Sequence, residues 1–171
     1  MTRAMKTRFA AMIIGMFGLT SCTPPDSTGP KSPAELTVPD RLPFQDIYSL
    51  QSFSGMDTKR GRIITDSAAL RAAWDSVFVN YAVGQKPFVP AIDFKQNVVL
   101  LASGGQTPTQ LLWFRITMVR ERPEHLAVLV ESEWPPCGGV PVTTTPVHIV
   151  TVPRVATQAV FTFVDNTKTC S

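Results

Sequence analysis

Groups able to do chemistry are scarce in this sequence. It holds two histidines and three cysteines among 171 residues, whereas a metal site needs three or four ligands at workable spacing. His125 falls in a turn-like stretch and His148 in a strand-like one. Apart from Glu124 beside His125, neither has a nearby histidine, cysteine or carboxylate in sequence, so both read as ordinary surface or strand residues. The Gly-x-Ser-x-Gly elbow of a serine nucleophile is missing. Ser103-Gly104-Gly105 lacks the further glycine and the lysine of a phosphate loop and reads as a glycine turn. Glu131 and Glu133 share one face of a strand by alternation and read as a solvated pair, while Asp93, between Ile92 and Phe94, reads as a residue tying the start of the next strand. The sequence thus predicts no catalytic residue, no metal and no cofactor.

Two further shortages narrow the class. The most apolar early run, Phe9 to Leu19, is eleven residues long, well short of the roughly twenty that cross a bilayer. Excess charge is also missing. Of 16 Lys plus Arg against 13 Asp plus Glu, Arg3, Lys6 and Arg8 precede the apolar run, which leaves 13 against 13. A basic face for nucleic acid, which needs clustered Lys and Arg, has no support.

What is present at the start is an address. Arg3, Lys6 and Arg8, the apolar run and the small residues Thr20-Ser21 before Cys22 follow the order of a secretory signal. Leu19-Thr20-Ser21-Cys22 resembles the lipobox of bacterial lipoproteins, which implies cleavage after residue 21, acylation of Cys22 and a mature chain held on a membrane by lipid. Acyl chains anchor because each buried methylene contributes about 0.8 kcal/mol. The expected location is the cell envelope, facing the periplasm or the cell surface, with Thr23 after the lipidated cysteine compatible with the outer membrane. Cys137 and Cys170 then remain as an even pair in an exported chain, where disulfides persist, and are expected to be joined, with a stabilisation of roughly 3 to 4 kcal/mol by chain entropy.

Residues 22–43 are rich in proline and poor in apolar side chains, so they read as an extended tether. Residues 44–171 have the size of one ordinary domain. One segment has helical spacing: Thr65-Asp66-Ser67 offers caps, and Leu70, Trp74, Val77, Phe78 and Tyr81 follow on one face, predicting a helix of about fourteen residues. Strands are predicted near Asp46 to Phe53, Gly61 to Ile64, Asn97 to Ala102, Leu111 to Arg120, Leu126 to Glu133, Val147 to Val152 and Ala159 to Val164, from Val, Ile, Thr and aromatic content between Gly, Pro and Asn. The link 120–125 is short and polar, so the strands around it should pair as a hairpin. The expected fold is mainly β with one helix, a sandwich or partly open barrel with the helix on one side.

Two loops between strands are candidate binding elements, Ser103 to Gln110 and Trp134 to Pro146, because rigid scaffolds carry recognition on exposed loops. The residues singled out are Gly104, Gly105, Gln106, Thr107, Trp134, Thr143, Thr144 and Thr145, with Trp134 as the contact anchor.

The run Ser67-Ala68-Ala69-Leu70-Arg71-Ala72-Ala73-Trp74, then Pro90-Ala91-Ile92-Asp93-Phe94, Asn97-Val98-Val99-Leu100, the Gly-Gly loop, Arg115-Ile116-Thr117 and Thr145 to Pro153 resembles the C-terminal domain of the PrcB family, small bacterial surface proteins named for a subunit of a protease complex. The resemblance covers about Ile63 to Pro153. It implies a lipoprotein that associates with another exported protein, a protease among the candidates, and stabilises or inhibits it without catalysis of its own. Where that family has a tyrosine after the two glycines, this chain has Gln106. The alternative is a small-molecule or envelope-ligand binder, with a pocket near Trp74 and Trp113.

Overall fold

The computed structural model describes residues 41–82, 84–136, 139 and 141–167. Cys22, Cys137 and Cys170, on which the lipid and disulfide expectations rest, lie outside the described residues. The elements in chain order are β1 (Gln45–Leu50), β2 (Lys59–Ile64), α1 (Ser67–Val77), β3 (Asn97–Gly104), β4 (Trp113–Glu121), β5 (Leu126–Trp134), β6 (Val147–Pro153) and β7 (Ala159–Thr167). They form two sheets, one of order β1-β6-β3-β2 and one of order β4-β5-β7. Every pairing is antiparallel except β5 with β7, which run parallel in register from Leu126↔Ala159 to Trp134↔Thr167. The fold is mainly β with one helix, and the two sheets stack as a sandwich rather than closing into a barrel.

The central strand β3 shows why. Its sequence NVVLLASG has no polar alternation, and all residues after Asn97 are buried, as a strand covered on both faces requires. Val98, Leu100 and Ala102 pack with Phe114, Ile116, Val119, Leu126, Val128 and Val130 of the second sheet. Val99 and Leu101 turn the other way, onto Leu70, Ala73, Trp74, Val77 and Phe78 of the helical layer. The layers are therefore helix, four-stranded sheet, three-stranded sheet.

Helix α1 starts where expected, with the Asp66 carboxylate accepting from the Ala69 N–H at 2.8 Å. It stops after eleven residues, shorter than the fourteen predicted, and Phe78 and Tyr81 complete the apolar face from the following turn, where Tyr81 N–H reaches Phe78 C=O. Trp74 is core, with edge-on contact to Tyr48 at 5.7 Å between centroids and its indole N–H on the Pro87 carbonyl. The β4–β5 hairpin is closed by Arg122 N–H to His125 C=O. In β4 the register shifts between Ile116 and Met118, and this one-residue bulge returns Val119 to the interior. The first described residues already belong to the fold: Arg41 bridges Arg120 and Leu42 N–H bonds Val119 C=O, although the sequence places both in the tether.

Candidate functional site

The two candidate loops meet. They leave the same end of the sandwich, and Thr107 and Thr144 exchange both backbone hydrogen bonds, at 2.8 and 3.0 Å, with their hydroxyls 2.7 Å apart. Thr145 binds the next segment in turn: its N–H donates to Ser52 C=O, its hydroxyl donates to Ser54 C=O, and Ser54 N–H donates back to that hydroxyl. Thr107, Thr144 and Thr145 are consequently buried and hold the loops together rather than face a ligand. Gly104 N–H bonds Pro146 C=O. Gly105 is at φ +70°, and a Cβ there would lie 2.5 Å from the Lys59 nitrogen, so the turn needs glycine for both conformation and close approach. Of the eight loop residues singled out, Gln106 and Thr143 are exposed and Trp134 is half-buried.

Between the loops lies a cleft of about 220 Å³ bordered by Gln106, Thr107 and Trp134, with Leu111 and Phe114 as apolar wall and Lys59, Ser132 and Asp165 as polar wall. The polar wall closes the open side of the sandwich where β2 faces β7. Lys59 Nζ sits 3.0 Å from Asp165 Oδ2 and 5.6 Å from the centre of the Phe163 ring. The Ser132 hydroxyl donates to Asp165 Oδ1 at 2.5 Å. That hydrogen bond, helped by Lys59, holds the Asp165 carboxyl below its usual value against the opposing effect of burial. Phe53 and Leu112, each 53% exposed, stand at the same end: Phe53 bridges Thr145 and Leu112 N–H bonds Glu133 C=O beside Trp134.

Sequence reasoning missed Lys59, Leu111, Phe114, Ser132 and Asp165. One signal was there: Ser132 and Asp165 continue the inward-facing alternation of Val128-Val130 and Phe161-Phe163, so each puts a polar group on a core face. Their partnership could not be read, because it depends on the parallel pairing Ser132↔Asp165.

His148 closes the other open side, and its surroundings bear on catalysis. It is 3% exposed and reaches from β6 across to β4, where its Nδ1 accepts the Ile116 N–H at 2.9 Å. That contact makes the neutral ring carry its proton on Nε2, 3.3 Å from Asp46 Oδ1. Burial lowers the imidazole pKa; Asp46 opposes this and Arg115 adds to it. A carboxylate is thus within reach of the ring, but both ring nitrogens are engaged, and none remains to activate the exposed Ser49 hydroxyl on the neighbouring strand.

The larger hollow, about 410 Å³, lies at the opposite end between Gln45-Asp46-Ile47 and the loop Pro90 to Asp93. Its acids have other tasks, since Asp46 faces His148 and Asp93 Oδ1 accepts the Lys95 N–H at the turn into β3, the tying role the sequence suggests. Trp74 and Trp113 stand on opposite outer layers and share no pocket. Among the described residues, no three His, Cys, Asp or Glu side chains gather as a metal site. No family model, curated protein or solved structure matches the chain.

Proposed function

We propose that the chain is an exported lipoprotein, anchored through Cys22, that binds another envelope protein with the loop end of its sandwich and performs no catalysis itself. The observation that carries this reading is the convergence of the two candidate loops around one cleft, on a frame of hydrogen bonds that leaves Gln106 exposed and Trp134 half-buried, packed on the core at the wall of the cleft. The cleft is smaller than the roughly 300–1,000 Å³ of typical small-molecule sites. It suits one apolar side chain of a protein partner, with Phe53 and Leu112 adding exposed apolar contact around it. Such a central aromatic with an apolar surround is the pattern of an interface hot spot. The resemblance to the PrcB family makes a protease the first partner to test, with stabilisation and inhibition separated by assaying that protease with and without the lipoprotein.

The test places a photo-crosslinking amino acid at position 106 in the full-length protein in its native envelope, with a second at Arg62 on the outer side of β2 as control. One exported protein captured from position 106, and lost with Trp134→Ala or Leu112→Ser, is the expected outcome. Equal capture from both positions would contradict the assignment of the loop end.

A further inference from the structure

The three-stranded sheet has one face inside the sandwich and one with no described layer over it. On that outer face Met118 and Arg120 of β4, Ala127 and Leu129 of β5 and Thr162 of β7 border a hollow of about 210 Å³ together with Arg122, and Val160 stands on the same face of β7 beside Ala127. Val160 is 54% exposed and Val164, further along β7, 37%. Charge on this face is graded along the strands. The carboxylates Glu131 and Glu133 stand at the loop end, Glu131 taking a hydrogen bond from Asn166 and Glu133 one from Trp113. Arg115 lies opposite Glu131 and over the Trp113 ring at that same end, so the loop end carries both signs, while Arg120 and Arg122 stand at the other end. Arg41 joins them there, because its bridge to Arg120 puts both side chains on the same side, and its guanidinium donates to Thr117 C=O.

The first described residues join the fold at this end. Arg41 follows 18 residues, Thr23 to Asp40, that separate it from Cys22, a proline-rich length reaching about 55 Å at full extension. We propose that the Arg41-Arg120-Arg122 end of the outer face, with Leu129 and Val160, rests on the anionic surface of the membrane that holds the lipid anchor. This rests on the reading of Cys22 as the acylated residue. Apolar side chains bordered by arginines are what a headgroup boundary accepts, and the loop end is lifted clear with the partner-binding loops. Phe88 is more exposed than either valine, and Lys86 near it is paired with Asp75.

The test uses the mature full-length protein on vesicles of phosphatidylcholine with about one third phosphatidylglycerol. Flotation reports the anchor first: loss of flotation with Cys22→Ser is expected, and flotation without acyl chains on Cys22 would overturn the anchor reading alone. A photo-crosslinking amino acid at position 162 then reports the face, with one at position 71 on α1 as reference. Lipid adducts at least fivefold more abundant from position 162, falling to the reference level with Arg41→Glu combined with Arg120→Glu while flotation persists, are expected. Equal adducts from both positions, or adducts to a second copy of the chain from position 162, would overturn the proposal.

Discussion

Each open side of the sandwich is closed by one polar residue reaching across to the other sheet, and each has its own pH window. His148 is held neutral by the Ile116 N–H on Nδ1, and burial lowers its pKa from the ordinary 6.5. The folded state therefore takes up a proton less readily than the unfolded chain, so the contribution is complete above about pH 6.5 and is lost as pH falls below it. The urea midpoint should drop between pH 7.5 and 5. His148→Leu should abolish most of that pH dependence while lowering stability at pH 7.5 by about 1 to 3 kcal/mol, since the Ile116 N–H loses its acceptor. A variant with the wild-type pH slope would show that another group is responsible. Asp165 behaves in the opposite sense of charge: its lowered pKa keeps its contribution intact above the usual carboxylate value and loses it only in stronger acid, so the two windows are separable. Gly105 offers a second check. With φ at +70° and no room for a Cβ, Gly105→Ala should cost at least about 1 to 2 kcal/mol, read as a lower urea midpoint, and should loosen the cleft with it.

The elements differ in how far the sequence betrays them. α1 was legible because cap and apolar face agree, with Asp66 ahead of Leu70, Trp74 and Val77; its end was not, because Phe78 and Tyr81 keep the periodicity while the chain is already turning. β3 and β6 were legible as strands from their Val and Ile content. Their membership of the four-stranded sheet depends on contacts between residues some fifty apart, such as Leu101↔Ile149, which no local pattern encodes. The candidate loops were found by composition, and so was Trp134, yet Thr144 and Thr145 look the same in sequence whether they face a partner or each other. Contact between the sheets depends on Gly61 of β2, where a Cβ would lie 2.0 Å from an atom of the Phe161 ring. Gly61→Ala should cost about 1 to 3 kcal/mol through overpacking. Combining it with Phe161→Ala should cost at least about 1 kcal/mol less than the sum of the single changes, because the two share one space. Additive losses in urea denaturation would show that the ring does not depend on the missing side chain.

At the scale of the molecule, the proposed roles fall on different ends and faces. The helix and the four-stranded sheet form the well-covered half, in which β3 is buried on both sides. The three-stranded sheet brings Arg41 and its neighbours to one end and Trp134 to the other. In the proposed arrangement the arginine end stays near the lipid anchor and the loop end is offered to a partner. The measurement that tests this most directly is the affinity of the purified mature protein for the protein captured at position 106, taken for wild type, Trp134→Ala and Leu112→Ser, with thermal unfolding recorded for each. The account predicts a loss of about thirtyfold or more for Trp134→Ala, the size of a hot-spot truncation of about 2 kcal/mol, together with a smaller loss for Leu112→Ser at unchanged thermal stability. Full affinity in both variants would contradict it and place recognition elsewhere on the molecule.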